Sequence, residues 1–115
     1  PDILQTKGIN RRTFKRARLS GDVMFQILNA SGNPIGGNFK GHLSDVSKQG
    51  LSFYIYTSNE KNARLLLGRK IFIQFALPLQ DQTKTIERTG IITSVIDHQF
   101  NNFSIHLKFD KELRR

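Results

Sequence analysis

Residues 103–109 read FSIHLKF. Phe103, Ile105, Leu107 and Phe109 alternate with Ser104, His106 and Lys108, and a strict period of two puts the apolar set on one side of a β-strand and the polar set on the other. One side belongs to a core and the other to water.

The same alternation recurs upstream. Val23, Phe25 and Ile27 alternate with Met24 and Gln26; Leu51, Phe53 and Ile55 with Ser52, Tyr54 and Tyr56; Ile71, Ile73, Phe75 and Leu77 with Phe72, Gln74 and Ala76. Two further strands are expected, one around Asn38 to Leu43 and one from about Thr85 to Val95, the latter bulged or bent at Gly90. Turn-forming residues separate them: a hairpin-like loop from Asn29 to Gly37, a polar stretch from Leu79 to Thr83, and a turn from Asp97 to Asn102. A short connecting helix is expected from Ser58 to Leu67, with Ser58 as its cap and Gly68 at its end. Six short strands punctuated in this way predict an all-β fold, a six-stranded antiparallel barrel.

The 115 residues suit one compact domain that buries roughly two-thirds of its unfolded surface. There is no cysteine, which excludes disulfides and thiolate zinc sites and fits a reducing, cytoplasmic compartment. No apolar run reaches the roughly 18 residues of a membrane span. The N-terminus lacks the apolar core of a signal peptide and begins at Pro1 rather than Met, so a piece of a longer chain is expected.

The net charge of +9 is unevenly placed. Residues 1–18 hold six Lys/Arg against Asp2, residues 19–110 hold nine against seven acids, and residues 111–115 hold three against Glu112. This divides the chain into a basic N-terminal arm, a nearly neutral barrel and a short basic C-terminal tail. The concentration of charge favours a local anionic partner over a uniformly basic surface, although a solvated basic leader has the same composition.

Two motifs carry candidate chemistry. Arg12 and Arg16 form Arg-x-x-x-Arg, preceded by Arg11. A guanidinium presents a planar fork of donors to phosphate oxygens and can lie flat on a purine ring. The second motif is Asp45-Val-Ser47-Lys-Gln-Gly50 between two strands. The Asp45 carboxylate suits the N–H edge of a guanine, Ser47 can donate to a phosphate or carbonyl, and Gly50 permits positive φ or close backbone approach. Taken singly, the first reads equally as a solvated arm and the second as an ordinary turn.

Taken together, in this order, they resemble the PilZ domain family, which is built around RxxxR near its N-terminus and [DN]xSxxG some thirty residues later. Here Asp45 follows Arg16 by 29 positions, and the GRKIFIQFALP, TGIITSVI and FSIHLKF strands are similar to their PilZ counterparts over about Asn10 to Asp110. The resemblance implies a six-stranded barrel that binds cyclic di-GMP without making or degrading it, and passes occupancy to an attached domain or protein effector controlling motility, exopolysaccharide or virulence. It implies that Arg12 and Arg16 hold phosphates and guanine, that Asp45 and Ser47 reach the ligand from the barrel surface, and that Gly50 shapes the turn. An Arg at position 11 goes, in this family, with an intercalated ligand dimer, so two ligands per protein are expected. No other cofactor is implied. The sequence departs from some members in ending soon after Phe109, short of a long C-terminal helix, and in the extra cations Lys15 and Arg18.

Three other readings compete. Tyr54 and Tyr56 on one outer face would suit base stacking in a nucleic-acid-binding barrel, but the nearly neutral body argues against a long backbone-tracking groove. A protein-interaction PilZ module that has lost its ligand is opposed by the intact Arg12, Arg16, Asp45 and Ser47. An enzyme is the weakest reading, since His42, His98 and His106 are scattered with no nucleophile–base pair beside them.

Overall fold

The computed structural model describes residues 17–18, 21–79 and 82–113. Its elements are β1 (Ala17–Arg18), β2 (Asp22–Leu28), β3 (Pro34–Val46), β4 (Gly50–Tyr56), α1 (Glu60–Arg64), β5 (Lys70–Leu79), β6 (Gln82–Asp97) and β7 (Asn102–Phe109). The sheet runs β3–β2–β5–β6–β7–β4, and β4 pairs back to β3, which closes the barrel with every neighbour antiparallel. The two-residue β1 adds to β3. This is the six-stranded antiparallel barrel and short connecting helix that the alternation predicts.

The apolar stripes meet inside. Phe53, Ile71, Ile73 and Ile105, from three of the predicted stripes, are fully buried. Both ends of the barrel are plugged: Ala63 and Leu66 join the core from α1 and the residues after it, and Leu113 joins it at the opposite end. Leu113 belongs to the segment read as a basic tail, and its N–H donates to the Lys48 carbonyl at 2.8 Å.

Four local expectations change. The helix is shorter than predicted and its cap is Asn59, not Ser58: the Asn59 side chain accepts from the Asn62 N–H at 3.2 Å. Thr57 Oγ1 accepts from the Asn59 N–H at 3.1 Å, which leaves Ser58 inside a turn. Gly68 does end the connection, at φ +82°. The long loop from Asn29 shrinks to a turn in which Asn29 Oδ1 accepts from the N–H groups of Ser31 and Asn33, so β3 begins at Pro34. β5 and β6 stay paired to Leu79 and Gln82, well into the stretch expected to be a polar loop.

The irregularity of β6 lies at Thr93 and not at Gly90. Gly90 pairs in register with Ile71 and Phe109, and the register shifts between Ile92 and Ser94. Gly90 serves close packing instead, since a Cβ there would overlap the Lys108 carbonyl oxygen. The extra residue also keeps the core continuous: Ile92 and Val95, three apart, both face inward.

Antiparallel pairing gathers the connections at two ends. One end holds the 29–33 turn, α1 and the turn between β6 and β7. The other holds the turn between β3 and β4, which carries the second motif, and residues 110–113.

Candidate ligand-binding site

Asp45 points outward because of a bulge. Period two would place Leu43 and Asp45 on the same face, and Leu43 is in the core. The register shifts between them, so that Leu43 opposes the inward Phe53 while Asp45 opposes Ser52. Ser44 is the added residue. It turns Asp45 out and lets Val46 return to the core.

On that outer face Ser52 Oγ donates to Asp45 Oδ1 at 3.0 Å. Ser52 is only 3% exposed and Asp45 is half-buried, so a cross-strand bond holds the carboxylate in one orientation. Ser47 closes the turn: its N–H donates to the Gly50 carbonyl at 2.7 Å and its Oγ donates to the same oxygen at 3.2 Å. Gly50 allows a close approach, and the group that approaches is β7, because a Cβ at this position would overlap the Leu107 carbonyl oxygen.

The turn is anchored from behind. Gln49 O accepts from the Phe109 N–H at 2.8 Å, Gln49 Nε2 donates to Glu112 at 3.2 Å, and Lys48 Nζ lies 3.6 Å from Glu112. Segments distant in sequence therefore meet at the motif. On the N-terminal side, Ala17 pairs with Val46 and Arg18 with Asp45.

The structure thus brings Asp45, Ser47 and Gly50 into one short segment. Arg11, Arg12 and Arg16 lie outside the described residues. Ser52 was not singled out from sequence; its place on the polar face of its strand is legible, but its partner depends on the bulge at Ser44. Chemically, the segment sets a carboxylate, the group type that accepts from paired N–H donors, beside a hydroxyl.

Other candidates are dispersed. His42 lies 3.4 Å from Asp22 with both side chains exposed, and His98 meets the Tyr54 ring edge-on at a centroid distance of 5.8 Å. Tyr54 and Tyr56 do share an exposed face, but His98 already occupies the edge of the first ring. Among the described residues no helix is long and apolar enough to cross a membrane.

The family model of the PilZ domain matches residues 10–115. Among solved structures, the chain is similar to the inhibitor of motility MotI/DgrA of Bacillus subtilis, with a TM-score of 0.65 and 17% identity over 98% of this chain and 49% of that one. It is also similar to the PilZ domain with c-di-GMP of YcgR from Escherichia coli, with a TM-score of 0.55 and 16% identity over 88% of this chain and 79% of that one. At these identities the likeness concerns the fold, and the chain spans about half the length of the MotI structure. No curated protein matches in sequence. The PilZ family comprises ligand-binding receptor domains for c-di-GMP and is not a family of enzymes. The barrel, the paired motifs and a family match from residue 10 to the last residue agree, and the chain belongs to the PilZ domain family.

Proposed function

We propose that this chain is a receptor for cyclic di-GMP, with a site made by its N-terminal arginines and the Asp45–Gly50 segment. One observation carries the reading: β1 is hydrogen-bonded to β3 through the pairs Ala17↔Val46 and Arg18↔Asp45. Arg16 is bonded to Ala17, and consecutive Cα atoms are only about 3.8 Å apart. The covalent link from Arg16 to this paired strand supports a ligand that touches both motifs. That continuity supports a shared site better than two motifs unrelated in space.

In this reading Arg12 and Arg16 bind phosphates and stack on guanine, while Asp45 takes the guanine N–H edge and Ser47 completes the polar wall. Arg11 offsets the added phosphate charge of a second, intercalated ligand. Like charges in residues 7–18 repel one another until an anion neutralises them, so the ligand draws the arm onto the barrel. A domain or effector attached to the arm then senses occupancy, in control of motility, exopolysaccharide or virulence. The ligand is read and released unchanged, and no other cofactor is involved.

Titration of the ligand into the protein tests this directly: saturable binding of two ligands per chain is expected, falling to one in Arg11→Ala. Amide hydrogen exchange tests the ordering step. Slower exchange across residues 8–18 at saturating ligand is expected, and unchanged exchange there would remove the arm from the mechanism.

A further inference from the structure

The end of the barrel opposite the motif carries an unusual surface. Large apolar side chains that remain exposed gather toward it: Tyr56 is 72% exposed, Leu65 63% and Phe100 83%, with Ile35, Phe39 and Leu67 also exposed. Exposed apolar side chains grouped beside a groove mark a candidate interaction site. Phe39, Tyr56 and Leu65 of this set line a groove of about 390 Å³ between β3 and the α1 connection. Phe25, Ile55 and Ala63 form the inner part of the groove, and Phe39 and Leu65 stand at its sides.

The charges lining the groove are of one sign. Lys40 and Arg69 are its only charged lining residues, and neither makes an ion pair among the described residues. Arg69 Nε donates weakly to the Leu65 carbonyl at 3.4 Å. An apolar floor with a cationic rim selects an occupant with apolar anchors and carboxylates. The chain's own residues 1–16 carry five Lys/Arg against Asp2, and a second copy carries +9, so both are repelled.

The turn between β6 and β7 adds a second, independent sign. Gln99, Phe100 and Asn101 have φ of 76°, 52° and 66°, a left-handed run that is costly for a bulky residue such as phenylalanine. The turn holds Phe100 in solvent at the same end of the barrel, where the Asn101 carbonyl accepts from the Thr57 N–H at 2.9 Å beside Tyr56. Strain that presents an aromatic ring to water gains the fold nothing, and it fits an anchor for a partner.

We propose that the α1 end, with the groove between Phe39 and Leu65 at its centre, docks an acidic amphipathic segment of a different protein or domain. Apolar side chains of that segment fill the groove, and its Asp/Glu residues pair with Lys40 and Arg69. The surface lies away from Asp45 and Ser47, so partner and ligand are held at opposite ends of one rigid barrel. This inference does not depend on what the Asp45 end binds.

Selection from a displayed library of random peptides, with the immobilised protein as bait, tests it. Enriched peptides are expected to be net acidic with two or more large apolar residues. Their amide shift changes should map to residues 39–40, 55–57 and 63–69. Affinity should fall roughly tenfold or more in Lys40→Glu/Arg69→Glu and in Leu65→Ser, and should weaken with added salt. These are exposed positions, so an unchanged melting curve separates lost docking from lost folding. Neutral or basic peptides, binding indifferent to both variants, or no enrichment would overturn the proposal. So would self-association in sedimentation that Leu65→Ser abolishes, since that would make a second copy the occupant.

Discussion

At the scale of single residues, the site depends on atoms that are absent as much as on those present. Gly50 has no side chain because the Leu107 carbonyl fills the space a Cβ would need. Gly50→Ala must push β4 from β7, and a loss on the order of 3 kcal/mol is expected in denaturant unfolding. Ser52 acts through Asp45: Ser52→Ala removes the 3.0 Å bond and should cost about 1 kcal/mol while weakening ligand binding, because one bond that orients the carboxylate is lost. Phe100 is the converse case. Phe100→Gly relieves its left-handed backbone and should raise stability by about 1 kcal/mol, measured by the shift in urea midpoint. A drop in stability would mean that the exposed ring packs against something the fold needs.

At the scale of elements, what sequence reveals is what local periodicity controls. The stripes of β4, β5 and β7 are legible because each alternates without interruption, and their predicted inner residues are buried except for the half-buried Ile55 and Leu77, although Ser52 and Ser104 of the polar sets are buried too. The bulges are not legible, because a bulge is defined by the partner strand. Read alone, Leu43 and Asp45 share a face; only the pairing with Phe53 and Ser52 separates them. Gly90 looked like the break in β6, yet the extra residue is Thr93, and Gly90 is required by the Lys108 carbonyl across the strand. Leu113 was hidden by its charged neighbours, which read as a tail. The candidate site divides in the same way: Asp45, Ser47 and Gly50 were legible as a motif, whereas Ser52 and the Glu112 anchor arise from contacts distant in sequence. One deletion tests the bulge. Removing Ser44 leaves Leu43, Asp45 and Val46 in strict alternation opposite Phe53, Ser52 and Leu51, so Asp45 should stay outward and the core intact, with a native-like near-ultraviolet circular dichroism spectrum. A molten or unfolded spectrum would mean that the added twist of the bulge is itself needed to close the barrel.

At the scale of the whole molecule, the barrel separates two surfaces. One end joins the N-terminal strand, the second motif and residues 109–113 through backbone hydrogen bonds. The other presents apolar side chains and cations. The chain's excess charge concentrates in sequence before residue 19, while residues 19–110 are nearly neutral. Such a layout suits a small anion held between arm and barrel better than a polymer wound around it.

The central claim is that the arginine arm and the Asp45 segment form one ligand site, and a single calorimetric comparison tests it. Cyclic di-GMP is titrated into the parent, Arg12→Ala and Asp45→Ala, with melting curves run on each. The account predicts saturable binding to the parent and a loss of roughly tenfold or more in both variants, with folding retained. No binding to the folded parent, or parent-like affinity in either folded variant, would contradict it.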